Sequence, residues 1–301
     1  MLSDFKGRVA HLARGRQIQI PTLPVVIHGI LRLAGDDRAS TKDLAEFIGR
    51  DQAIAARVLR LANSAYYSRL RKVETISRAV SVVGFSQVMS LAMGMRVFSA
   101  VQMSGARGSL DITLLWMHSL ACCFASRQIV SLMERGRSTE GRGFSGQPLE
   151  LPVYLGALLH DIGKAVYALH FPEELKAVLK AAKDSGEPLD SVERRVLETD
   201  HAALAGQMMD AWNFPDSIAL PVRHHHNPQA CRPEHRTAAA IVSLADYVAH
   251  KARIGGSGNA CCPFPRSAVR MLKLHDADVP VLVRGLKEHR PGIQKFLTLM
   301  R

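Results

Sequence analysis

"DLAEFIGRDQAIAARVLRLANSAYYS", residues 43–68, shows no alternation of apolar and polar side chains. Its apolar residues recur at spacings of three and four. Leu44, Ala45 and Ile48 form one stripe; Ile54, Val58, Leu59, Leu61 and Ala62 form another. That period lines one face of a helix, whereas a strand repeats every second residue. Ser40–Thr41 precede the first stripe and Asp51 the second, each a residue type that accepts from the orphan N–H groups of a helix start. Asn63 and Ser64 end the second helix, because their side chains compete for backbone hydrogen bonds. Tyr66 and Tyr67 then follow as candidates for a partner surface.

The same period extends outward. Leu23, Val26, Ile27, Ile30, Leu31 and Leu33 form a stripe after Pro21 and Pro24. Thr75 opens a helix carrying Ile76, Ala79, Val80 and Val83, which ends near Gly84. A further helix runs from about Ser86 through Val88, Leu91, Met95 and Val97. A longer one is predicted over about 111–133. The Gly-, Ser- and Arg-rich stretch Glu134–Glu150 reads as a mobile loop, and "IGGSGNACCPFPR", Ile254–Arg266, as a second one before a short helical tail. The prediction is an all-α, two-lobed protein: an N-terminal bundle of short helices over residues 1–105 and a second helical lobe over 106–301. Helices 40–100 also admit a helix-turn-helix reading with Arg57 and Arg60 toward nucleic acid, but helical pairs with short turns are common in all-α folds.

The 301 residues carry 39 Lys and Arg against 27 Asp and Glu, a formal charge of +12. Residues 1–110 hold 16 of the basic and seven of the acidic residues. A basic first third points to an anionic partner: nucleic acid, an acidic protein or a phosphorylated ligand. No tight Lys/Arg block stands out, so a solvated Arg-rich surface explains the charge as well. The five cysteines are Cys122–Cys123, Cys231 and Cys261–Cys262, with no C-x-x-C spacing. This is neither a disulfide framework nor a zinc ribbon, and it fits a reducing cytosol. Lys6, Arg8 and His11 interrupt any signal-peptide core, and no apolar run reaches membrane-spanning length. A soluble, cytoplasmic protein without membrane contact is expected.

Chemistry concentrates in the second half. "ALLHDIGKA", residues 157–165, sets His160, Asp161 and Lys164 into an otherwise apolar helical run. Unpaired polar groups are costly to bury, so these pair with each other or hold something. His118 in "LLWMHSLACCFA", His201 in "ETDHAALAGQMMDAW", His224–His225–His226 in "VRHHHNP" and Asp246 in "IVSLADYVAH" stand in similar surroundings. Singly, each reads as a hydrogen-bonded core residue or a cap. Together, imidazoles and carboxylates from four or five helices suit iron, manganese or zinc, and bundle cores are where such sites are built. Asp161 could bridge two ions, which would polarise a phosphoryl oxygen or generate hydroxide. Cys122–Cys123 read as small core residues beside His118.

The order His118, His160–Asp161, His201, His225–His226, Asp246 resembles the ligand order of the HD superfamily of metal-dependent phosphohydrolases. "PTLPVVIHGILRL", "DLAEFIGRDQAIAARVLRLANSAYYS", "VETISRAVSVVGFSQVMSLAMG", "LLHDIGK", "DHAALAGQMMDAWNFPDSI" and "RHHHNP" are similar to a narrower relative, the HDOD domain of bacterial signalling. The resemblance covers about residues 17–250. It implies an HD-like C-terminal lobe and a regulatory module with a signalling protein partner at the N-terminal lobe. A metal-dependent phosphohydrolase of a nucleotide or phosphodiester is the second reading, and a nucleic-acid-binding regulator the third. It implies one or two divalent ions, Fe, Mn, Zn or Mg. His118, His160, Asp161 and Asp246 would hold one; His201, His225 and His226, sharing Asp161, the other. His224–His225 is the alternative pair. Asp161 and Lys164 are the candidate catalytic residues. Lys164, one turn beyond His160, either neutralises a bound phosphate or forms a salt bridge at the rim. His226 is followed by Asn227–Pro228, not by the acidic residue and Gly-Tyr-Pro tract of the cyclic-dinucleotide phosphodiesterases.

Overall fold

Caps and stripes define the helices of the computed structural model, which describes residues 29, 40–64, 67, 72–89, 91–93, 95, 110–138 and 150–300. The predicted helix over Leu23–Leu33 (apart from Gly29), Tyr66, Val97 and most of the Glu134–Glu150 loop lie outside these residues. Fourteen helices are described, with no strand among the described residues, so the all-α class holds. The chain divides into two compact units. One is built from 101–290 and the other from 22–100 with 291–301. The tail helix, expected with the C-terminal lobe, thus groups with 22–100 from Pro291 onward.

In the 22–100 unit, α1 (Thr41–Gly49) starts with a capping box. Ser40 Oγ accepts from Asp43 N, and Asp43 accepts from Ser40 N at 2.8 Å. Helix α2 (Gln52–Ala62) starts on Asp51, whose Oδ1 accepts from Ala53 N and Ile54 N. Thr75 caps α3 (Ile76–Val83). Such caps each contribute about 1 kcal/mol. Both predicted stripes are buried except Leu59, which is half-buried. Asn63 does more than end α2. Its side chain donates to Leu59 O and Val73 O and accepts from Val73 N at 2.7 Å, tying the helix end to the segment before α3.

The 101–290 unit is formed by α4 (Ile112–Ser138), α5 (Glu150–Leu159), α6 (Ile162–His170), α7 (Pro172–Ser185), α8 (Leu189–Leu197), α9 (His201–Ala211), α10 (Asp216–Arg223), α11 (Arg236–Ala252), α12 (Arg266–Met271) and α13 (Asp278–Glu288). The last helix, α14, is Arg290–Met300. Helix α4 runs five residues past the predicted end, into the stretch read as loop. Helix α11 is apolar almost all round, with Ala238, Ala239, Ala240, Ile241, Val242, Leu244, Ala245 and Val248 buried. A helix of that kind belongs at the centre of a bundle. It packs against α4, α5, α10, α12 and α13, while α9 packs against α6 and α10. No single described helix is long and apolar enough to cross a membrane.

Candidate metal centre

"ALLHDIGKA" is not one helix. Helix α5 stops at Leu159, His160 and Asp161 form the turn, and α6 starts at Ile162. The break aims both side chains inward. Gly163 is required for it: a Cβ there would lie 2.1 Å from the carbonyl oxygen of His201, so α6 approaches the start of α9 to backbone distance. His201 is the first residue of α9, after its N-cap Asp200. Helix α10 ends at Arg223, and the turn beyond it carries His225 and His226. His118 lies on α4 and Asp246 on α11.

All seven predicted ligands converge. His118 Nε2 is 2.9 Å from Asp246 Oδ1. His160 Nε2 is 3.4 Å from Asp161 Oδ2 and 3.9 Å from Asp246 Oδ1. Asp161 Oδ2 is 3.9 Å from His118 Nε2, while its Oδ1 is 3.2 Å from His201 Nε2. His226 Nε2 is 2.8 Å from His201 Nε2. The triple histidine therefore enters as His225 and His226, with His224 outside the cluster; His224 and His226 are both partly buried. Three groups have ligand atoms within 4.8 Å of one another: His118, Cys122, His160 and Asp246; His201, His225 and His226; His160, Asp161 and His225.

Two imidazoles are oriented as metal ligands are. His160 Nδ1 donates to Ala157 O at 2.8 Å and His225 Nδ1 to Val222 O at 2.7 Å. Each carbonyl fixes the proton on Nδ1 and leaves Nε2 as the donor atom. Both Nε2 atoms are buried without a hydrogen-bond partner. Buried polar atoms are rarely left so. The donor set therefore fits a divalent cation.

Electrostatics agree. Burial disfavours the charge on Asp161, yet His160, Lys164 and His201 hold its carboxyl well below the usual range. Asp246 is likewise lowered against burial, by His118 and then His160. Burial, reinforced by His160 and His201, brings His225 down to about 3, so it enters neutral with its lone pair free. Burial also lowers His201, but Glu193 outweighs it and raises the imidazole to about 10. Asp161, Asp246 and Glu193 face one buried ammonium, Lys164, so the cluster calls for further positive charge. Without a metal, His201, held up to about 10 chiefly by Glu193, supplies part of it as a bound proton.

Three residues of the centre were not predicted as parts of it. Glu193 is wholly buried on α8; its Oε2 accepts from His201 Nδ1 at 2.5 Å and from His201 N at 2.9 Å. It orients the imidazole as carboxylates behind metal-bound histidines do. Its signal was its place in the apolar stripe Leu189–Glu193–Leu197. Cys122, read as core, has its Sγ 3.5 Å from His118 Nε2. Asn259, on the loop read as a connection, meets Lys164 Nζ at 3.4 Å. That loop docks on α4: Gly256 N donates to Leu114 O, and Gly255, at φ +74°, leaves no room for a Cβ beside His118 N. Lys164 itself is not at a rim. It is 1% exposed and lies 2.9 Å from both Asp161 oxygens, donating to Oδ2. Glu193→Gln should weaken metal binding about 10–100-fold with little change in helix content. Chelator competition measures the first and circular dichroism the second; unchanged affinity would remove Glu193 from the site.

The model of the HDOD domain family matches residues 20–228. A curated protein of Treponema pallidum (strain Nichols), itself uncharacterized, is 22% identical over 227 residues, spanning 75% of this chain and 41% of that protein. The crystal structure of a "Putative signal transduction protein" from Marinobacter aquaeolei VT8 superposes with a TM-score of 0.78 at 25% identity, over 99% of this chain and 66% of the other. The chain thus spans less than two thirds of either relative. An HDOD domain protein of unknown function from Geobacter sulfurreducens gives 0.74 at 22% identity, covering 99% of both chains. A "Putative phosphohydrolase" from Shewanella amazonensis SB2B gives 0.69 at 19%, covering 99% and 98%. These last two likenesses bear on the fold alone.

Proposed function

We propose, from the premise that this chain belongs to the HDOD domain family, that it is a regulatory signalling module whose 101–290 unit holds a divalent-metal centre. The observation that carries the metal centre is the pair of buried, unpartnered Nε2 atoms of His160 and His225, each fixed by a backbone carbonyl behind it. A bound ion would supply Lewis acidity and lower the pKa of a water on it. The regulatory role is favoured over turnover by enclosure. His118, His160, Asp161, Lys164, His201, His225 and Asp246 are all at most 5% exposed. The Lys164 ammonium is engaged by Asp161 and Asn259 and not offered to an incoming phosphate.

A second reading, a metal-dependent phosphohydrolase, is favoured by Asp161, whose two oxygens face different ligand groups as a bridge would. The partner contact belongs to the 22–100 unit in this proposal. Its open groove, lined by Leu59, Arg60, Asn63, Lys72, Val73 and Glu74, mixes both signs of charge with apolar surface. That suits a protein better than a nucleic acid, which asks for a basic stripe.

Elemental analysis of the purified chain, followed by titration with Mn, Fe and Zn, is the test. One or two ions per chain without phosphodiester hydrolysis is the expected result. Failure to take up any of the three ions overturns the metal centre. Hydrolysis that needs added Mn or Fe and vanishes in Asp161→Ala overturns the regulatory reading in favour of the second.

A further inference from the structure

Helix α4 presents two donors to the centre, one turn apart. His118 and Cys122 are an i, i+4 pair and share one helix face. Cys122 is wholly buried, and its Sγ faces the cluster, 3.5 Å from His118 Nε2. The neighbouring Cys123 points elsewhere, donating to Tyr154 O at 3.4 Å. The Cys122 sulfur lies within 4.8 Å of His118, His160 and Asp246 ligand atoms, which also lie within that distance of one another. The second, independent sign of a ligand is His160 Nε2, fully buried and without a hydrogen-bond partner.

We propose that Cys122 is a metal ligand and that the ion nearer α4 is held by His118, Cys122, His160 and Asp246. The inference rests on the metal-centre reading above and gives one of its sites a soft donor. The spacing supports it. A Zn–S bond of about 2.3 Å and a Zn–N bond of about 2.0–2.1 Å at a tetrahedral angle set S and N about 3.6 Å apart. The observed separation is 3.5 Å. On coordination the sulfur gives the metal a lone pair and the S–H proton leaves to solvent. Thiolate in the set favours zinc over Mg and Mn, which prefer oxygen. The group His201, His225 and His226, with Asp161, has no sulfur. The two sites therefore differ in preference, and zinc fills the α4 site first.

Cobalt(II) substitution tests this without any assay of activity. Cobalt-loaded wild type should show visible ligand-field bands plus an intense near-ultraviolet sulfur-to-cobalt charge-transfer band. Cys122→Ser should lose the ultraviolet band, keep visible bands from the remaining ligands, and bind zinc about tenfold or more weakly. Cys123→Ser and Cys262→Ser should keep the ultraviolet band. Visible bands without charge transfer in wild type overturn the cysteine ligand and leave the metal centre intact. No bound cobalt or zinc overturns both. Loss of the band in Cys262→Ser instead of Cys122→Ser overturns the assignment to Cys122. Should Cys122→Ser fail to fold, X-ray absorption of zinc-loaded Cys262→Ser decides. A sulfur at about 2.3 Å supports the proposal, and a shell of nitrogen and oxygen alone overturns it.

Discussion

Asp161→Ala is expected to abolish metal uptake at both ligand groups and to destabilise the metal-free chain by about 3–5 kcal/mol. Two separate causes act. The carboxylate is the only predicted ligand with an oxygen toward each group, so its loss leaves each short of a donor. It is also the ion-pair partner of Lys164, which is 1% exposed. His201 keeps Glu193 as its partner once the carboxylate is gone, and an imidazole of ordinary pKa is neutral near pH 7. Lys164 has no such inexpensive exit. Neutralising an amine of ordinary pKa at pH 7 costs about 4–5 kcal/mol, which caps the penalty for stranding it. Asp161→Ala/Lys164→Met separates the two causes. It should recover most of the stability, because removing both partners of a buried pair is close to neutral, while metal uptake stays lost. Urea midpoints and metal analysis of the two variants read this out. A double variant no more stable than the single one would show that the Lys164 pair is not what Asp161 sustains.

The helices were legible because their signals are local. Ser40, Asp51 and Thr75 cap where the sequence placed them, and Leu44, Ile48, Ile54 and Val58 are buried on the faces their spacing assigned. The seven candidate ligands were picked out by their order, which resembles a known family, and the structure brings the seven side chains together. What escaped depends on contacts that the spacing of residues along the chain does not display. Glu193 reaches His201 across the α8–α9 connection, and Asn259 reaches Lys164 from 95 residues away. The break at His160–Asp161 was hidden because Leu158, Leu159, Ile162, Ala165 and Val166 are buried on both sides of it, so the apolar run looks continuous. Lys164 was placed at a rim because lysines are seldom fully buried. Here burial still pushes its ammonium toward the neutral form, but Asp161, Asp246 and Glu193 together hold it charged.

Gly163→Ala should damage the centre although the new methyl touches no ligand atom of the cluster. In an exposed helix interior the change is favourable by about 1 kcal/mol. At Gly49, where a Cβ would meet nothing within 4 Å, Gly→Ala is expected to stabilise by up to that amount. At Gly163 the Cβ would stand 2.1 Å from His201 O and 2.9 Å from His201 C. Those are backbone atoms at the start of α9, so no rotamer change relieves the clash. Either α6 or α9 must shift by about an ångström to restore ordinary contact. Overpacking of this kind costs about 1–3 kcal/mol and occasionally more, which outweighs the propensity gain. The shift falls on the two elements that set Asp161 against His201, now 3.2 Å apart. Weakened metal binding should therefore accompany the lost stability, whereas Gly49→Ala leaves metal binding unchanged. Equal metal affinity in Gly163→Ala and wild type would show that the α6–α9 approach does not position the ligands, and that the glycine serves packing alone.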